Sequence, residues 1–182
     1  IFGHNRLAII DPDVKSNQPF ISNDKSIVLT YNGELYNYLD LRKQLEKHYD
    51  FITNSDTEVV VAAYQHWGIK MLDYFNGMFA FALWDKHNNQ FFLSRDRLGI
   101  KPLYFTEHNQ SVVFSSSLIA LNSYVESDSE IVKPDLYDYL SYGTVHSPNT
   151  ILNDIKLLPS GSYYNAGSVE SSILSTGSNN PT

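Results

Sequence analysis

Arg6, Asn32, Gly33, Glu34 and Asp56 are the residues of this 182-residue sequence whose types and placement suit chemistry on a small molecule. Arg6 lies in an otherwise apolar run, where a guanidinium needs an anionic partner. Glu34 and Asp56 carry the opposite charge. Together the three can grip a zwitterionic amino acid, with the guanidinium two-pronged on its carboxylate and the acids on its ammonium. Asn32 offers a side-chain amide. Gly33 lets backbone come close to a ligand, and its N–H can join that amide in holding a developing oxyanion. Each feature also has a plainer reading. Asn-Gly is the strongest short turn signal, and Arg6 could pair with Glu34 or Asp56 in a purely structural ion pair.

The elements that must position these residues can be read from the apolar pattern. Ile27–Thr30 reads as a strand that breaks at Asn32-Gly33 and restarts as a helix, with Leu41 and Leu45 on one stripe and an end near His48. Ser55 with Glu58 three residues on forms a capping box. Val60, Ala63, Tyr64 and Trp67 follow at helical spacing, and Gly68 is a stop. Asp56 falls in the first turn of that helix, where the dipole favours a carboxylate. Ile1–Ile10 reads as a buried strand stopped by Asp11-Pro12-Asp13. Met78–Trp84 is apolar at every position, as in a strand covered on both faces, and Phe91–Ser94 is its hairpin partner. Arg95–Pro102 is a charged turn, read as a self-paired corner. Short strands are expected at Leu103–Phe105 and Val112–Phe114, with helices beginning at Leu118 and covering Pro134–Tyr142. The Ser/Gly/Asn-rich stretch 167–182 is set aside as a disordered tail, which leaves one domain over residues 1–166. Strands, then helices, then strands again predict an α+β fold of two sheet layers with helices outside.

The totals exclude several classes. A net charge of −7 with no Lys/Arg cluster argues against nucleic acid. No apolar run approaches the roughly 18 residues of a membrane span. The absence of cysteine removes disulfides, thiolate-bound zinc and a thiol nucleophile. The six histidines show no metal-ligand spacing, so no metal site is expected. Ser115–Ser117 lacks the G-x-S-x-G elbow of a serine hydrolase, and the turn at Gly99 has no phosphate-loop fingerprint.

The motifs GHNRLAIID (Gly3–Asp11), Gln18-Pro19, YNGELYN (Tyr31–Asn37), NSDTEV (Asn54–Val59), NGMFAFALWD (Asn76–Asp85), SRDRLGIKPLY (Ser94–Tyr104) and DYLSYG (Asp138–Gly143) occur here in one order. As a set they resemble the class II glutamine amidotransferase domain of glutamine-hydrolysing asparagine synthetases. The resemblance runs from residue 3 to about 164. It implies a four-layer αββα N-terminal-nucleophile hydrolase fold, with two antiparallel sheets between helices, and hydrolysis of L-glutamine to glutamate and ammonia. By motif, Arg6 holds the substrate carboxylate, Asn32 and Gly33 form the oxyanion hole, and Glu34 and Asp56 take the ammonium. Backbone near Ile9 and Ile10 lines the pocket. The family's nucleophile is an N-terminal cysteine, and its initial strands precede that of Ile1. Its synthetase domain, which uses ATP and magnesium on aspartate, follows the amidotransferase domain. The expectation is therefore a cytoplasmic enzyme domain that lacks its nucleophile and initial strands, is inactive alone, needs no cofactor of its own and has a C-terminal synthetase domain as partner. Two alternatives stay open: a non-catalytic module with the same fold, and a domain serving another acceptor such as a sugar or a β-lactam precursor.

Overall fold

The computed structural model describes residues 1–5, 10–11, 13–125 and 129–166, and the backbone of 172–175. Among the described residues, nine strands form two antiparallel sheets. The larger sheet contains β1 (Phe20–Ile21), β2 (Ile27–Leu35), β3 (Gly77–Asp85), β4 (Gln90–Arg95), β8 (Ser162–Asn165) and β9 (Ser172–Ser175), in the order β1-β2-β3-β4-β8-β9. The smaller sheet runs β6-β5-β7, from β5 (Tyr104–His108), β6 (Ser111–Ser115) and β7 (Lys156–Leu157). Four α-helices among the described residues accompany them: α1 (Tyr38–Leu45), α2 (Asp56–Trp67), α3 (Leu118–Val125) and α4 (Lys133–Tyr142).

The layering follows from side-chain alternation along the strands. In β3, Phe79, Phe81 and Leu83 point to one face and join a core with Leu41 and Leu45 of α1 and Val59–Ala63 of α2. The intervening Ala80 and Ala82 point to the other face and meet Phe105, Val112 and Phe114 of the second sheet and Leu103 just before it. The far face of that sheet, through Tyr104 and Val113, packs on Leu121 and Val125 of α3. The order is helices, sheet, sheet, helix. Small alanines between the sheets let them approach closely, while the phenylalanines fill the wider gap under the helices. This is the expected αββα arrangement, and the uniformly apolar β3 is the strand covered on both sides.

Three local expectations are corrected. Residues 1–5 form no strand; of them Phe2 is anchored, its ring against Phe91 and Phe114 at centroid distances of 6.0 and 5.5 Å. A strand requires a neighbouring backbone edge, and no described strand pairs with this segment. Second, Asn32-Gly33 is not a turn. β2 runs unbroken from Ile27 to Leu35, paired along its whole length with β3 from Asp85 to Gly77. The glycine answers a different demand. A Cβ on Gly33 would lie 2.2 Å from the Met78 carbonyl oxygen, and one on Gly77 2.2 Å from that of Glu34. The two strands are pressed together here, and glycine on each side permits it. Third, Ser55 caps α2 by accepting from the Glu58 N–H at 3.2 Å, but the Glu58 carboxylate does not return to the cap. It accepts from the N–H groups of Ile52 and Thr53 at 3.0 and 2.7 Å and from the Thr53 hydroxyl, pinning the loop that leads into the helix.

Within the stretch set aside as a tail, Ser172–Ser175 pairs with β8 and extends the larger sheet. No helix among the described residues is long and apolar enough to cross a membrane.

Candidate functional site

The pairing register of β2 determines which way its peptide groups face. Phe79 donates its N–H to Asp96 Oδ2 and receives the Asp96 N–H on its carbonyl, so its polar groups point away from β2. The Gly33↔Phe79 pair is therefore a non-hydrogen-bonded pair, and Gly33 turns its own N–H and C=O to the opposite edge. The neighbours with the same orientation are both occupied. On one side, the Gln18 side-chain amide donates to the Tyr31 carbonyl at 2.8 Å and accepts the Tyr31 N–H at 2.6 Å. Phe20 and Ile21 pair with Leu29 and Val28, so Gln18 continues the β1 ladder in register with a side chain in place of backbone. On the other side, Leu35 donates its N–H to Asp56 Oδ2 at 3.1 Å. Between them the Gly33 N–H meets no acceptor among the described residues.

That edge opens into a cavity of about 460 Å³ between the two sheets, lined by Asn32, Gly33, Glu34 and Asp56 on one wall and by Lys101, Ser115 and Ser116 on the other. The structure thus brings Asn32, Gly33, Glu34, Asp56 and Ile10 together around one space. Arg6 and Ile9 lie outside the described residues. Asn32 is exposed at the rim, and Glu34 is half-buried.

Asp56 is the buried member, 5% exposed, in the first turn of α2. Burial raises its pKa above the ordinary aspartate value, because removal from water penalises the charge. The Leu35 N–H, the Tyr31 hydroxyl at 3.1 Å and the first-turn N–H groups of α2 work in the opposite direction. Tyr31 is itself held well above the ordinary tyrosine range, by burial first and by the neighbouring Asp56 and Glu34 charges next. It therefore stays a hydroxyl donor. Neither Tyr31 nor Lys101 was singled out from sequence. The strand alternation that sends Tyr31 toward the helices is a signal that could have placed it.

The charged turn is structural. Asp96, 1% exposed, accepts four backbone N–H groups, from Phe79, Leu98, Ile100 and Lys101, at 3.0–3.2 Å. Arg95 donates to the carbonyls of Lys101, Leu158 and Gly99, and Arg97 to those of Phe75, Leu72 and Asp73. The expected self-paired corner is replaced by charges neutralised on peptide dipoles. It fixes Lys101 at the lip of the cavity.

The family model named glutamine amidotransferase domain matches residues 1–174. The chain belongs to that family. The domain is 40% identical over 164 residues to a Bacillus subtilis protein named asparagine synthetase [glutamine-hydrolyzing] 1, covering 90% of this chain and 26% of the relative. It is 41% identical over 116 residues to amidase chry2 of Gibberella zeae, covering 64% of this chain and 17% of that protein. Its fold matches the glutamine phosphoribosylpyrophosphate (PRPP) amidotransferase of B. subtilis, with a TM-score of 0.67 at 20% identity, over 97% of this chain and 34% of that one. The amidotransferase domain therefore has the N-terminal-nucleophile hydrolase fold and spans about a quarter of the length of the synthetases it matches.

Proposed function

We propose that the cavity receives L-glutamine and that the domain serves glutamine hydrolysis, to glutamate and ammonia, within an asparagine synthetase. Asp56 and Glu34 take the α-ammonium, and the Asn32 amide and Gly33 N–H receive the oxygen of the side-chain carbonyl as it gains charge. Arg6 takes the α-carboxylate and backbone at Ile9 and Ile10 closes the pocket, roles that rest on the sequence. The observation that carries the reading is the outward Gly33 N–H, held between an occupied Tyr31 and an occupied Leu35 beside two carboxylates. A strand edge with one donor left over, facing a cavity, suits a developing oxyanion better than it suits a structural role.

The 182 residues hold no cysteine, so this chain is expected to bind glutamine without turning it over. ATP and magnesium, and the transfer of ammonia to aspartate, belong to the synthetase domain proposed as partner; the chemistry assigned to this chain uses neither, and a cytoplasmic setting follows from that pathway. The relative named as an amidase favours a second reading, in which the same glutamine site serves an acceptor other than aspartate.

Calorimetric titration of the chain with L-glutamine tests the site. Binding is expected for the L and not the D enantiomer, weakened in Asn32→Ala and weakened about 30-fold in Asp56→Asn. Equal binding by Asp56→Asn, or none by the wild-type chain, would overturn the reading. Ammonia release by the purified chain would overturn the expectation that it is inactive alone.

A further inference from the structure

Asp56 reaches the cavity from the start of α2, but what holds it there comes from β2. Its Oδ2 receives the Leu35 N–H and the Tyr31 hydroxyl, both at 3.1 Å. One donor is a side-chain hydroxyl and the other an edge-facing backbone N–H, four positions apart on one strand with Gly33 between them. They fall on the same oxygen, so Oδ1 is the oxygen these two donors leave over, on a side chain that lines the cavity. Tyr31 is 3% exposed, and its ring is packed in the core between β2 and α2, so the hydroxyl has little freedom to turn elsewhere. Its backbone is held as firmly: both polar groups of the Tyr31 peptide are taken by Gln18. The hydroxyl and the carboxylate are thus two ends of one brace across the gap between strand and helix.

We propose that Tyr31 is a positioning residue for Asp56: its hydroxyl locks Oδ2 against β2 so that Oδ1 is presented to the ammonium group of the ligand. The inference rests on the glutamine reading of the cavity. A ring alone fills the space between strand and helix, so Tyr31→Phe keeps the packing and removes the brace. Without the hydroxyl the carboxylate loses a donor to its charged form, and of the two donors on Oδ2 only the Leu35 N–H remains.

Two measurements on the full chain separate this inference from the reading beneath it. The first needs no ligand: the carboxyl carbon resonance of Asp56 is followed against pH by NMR in wild type and Tyr31→Phe. The midpoint is expected to move up in the variant; an unchanged midpoint overturns the brace. The second is the pH profile of L-glutamine binding. At neutral pH, Tyr31→Phe is expected to bind about 3- to 10-fold more weakly, the usual worth of one such hydrogen bond. Its loss of affinity on acidification should begin at higher pH than in wild type. A variant that melts at lower temperature but keeps the wild-type affinity and pH profile would make Tyr31 merely structural and overturn the proposal. If wild type binds no glutamine, the reading of the cavity fails, and the Asp56 titration still decides whether the brace exists.

Discussion

Asp56 and Asp96 are both buried carboxylates on the larger sheet's periphery, and their surroundings differ in one respect. Asp96 accepts four backbone N–H groups and has its lone pairs spent on β3 and on the turn that follows β4. Asp56 accepts a strand N–H and a hydroxyl on one oxygen and lines a cavity with the rest. A satisfied buried charge builds architecture; an incompletely satisfied one costs stability and persists where a ligand completes it. The same contrast separates the arginines of the corner, spent on carbonyls, from the cavity wall.

The comparison is broken most decisively at the corner. Asp96→Ala strands four N–H groups, that of Phe79 buried in β3 and three in the partly exposed turn, and is expected to cost about 4 kcal/mol, lowering the melting temperature by about 10 °C. A melt within a degree or two of wild type would mean that the corner is not structural. Next is Gly33→Ala. Its Cβ would sit 2.2 Å from a backbone oxygen that cannot rotate away. We expect a loss of about 3 kcal/mol in denaturant unfolding, together with loss of glutamine binding as β2 and β3 separate. Asp56→Asn should show the opposite profile to Asp96→Ala. Its stability should be unchanged or higher because a buried charge is removed, while glutamine affinity falls about 30-fold, roughly 2 kcal/mol. If the two aspartate variants lost stability equally, the contrast drawn here would not hold.

Acid pH sharpens the comparison further. Burial holds the Asp56 pKa above the ordinary 3.8, so its charge is lost first as pH falls, and glutamine binding should weaken in a window above that value. For stability the sign is reversed: a raised carboxyl disfavours the fold as it ionises, so acidification through the same window relieves a strain. Asp24 and Asp85 are held below 3.8. Asp24 is lowered by the Ser22 hydroxyl first and the Ser26 N–H next; at Asp85 the push from burial is outweighed by hydrogen bonds from Asn88, Tyr64 and His87. Their contribution to stability is present above the ordinary range and is lost only as pH falls below it. Binding measured by calorimetry should therefore fail before the fold does by circular dichroism.

Much of this was legible in the sequence, for identifiable reasons. The α2 helix was, because Ser55, the apolar spacing and Gly68 all mark it. So was β3, because seven apolar residues in a row between polar ends suit a strand covered twice. Helix α4 was readable from Pro134 in its first turn, and the structure ends it at Gly143, which has a left-handed φ of 72°. The Asn-Gly of β2 was misread because a glycine demanded by a neighbouring strand looks the same in sequence as one demanded by a turn. β8 went unseen since its partners lie near Leu93, some seventy positions away, and four residues carry little periodicity of their own. Among the residues around the cavity, Asn32, Gly33, Glu34 and Asp56 were named from type and motif. Tyr31 escaped because the strand read from the apolar run stops at Thr30, and only the helix crossing over Tyr31 gives its hydroxyl something to hold.

The Gln18 side chain has a consequence of its own. By copying a peptide group, it lets an irregular segment dock on a strand at one point and then leave, so the sheet is sealed up to Tyr31 and open at Gly33. The boundary is set by two methylenes: an asparagine there would fall one carbon short, and the gap at the edge would widen by a residue. A single side chain's reach decides how wide the doorway is.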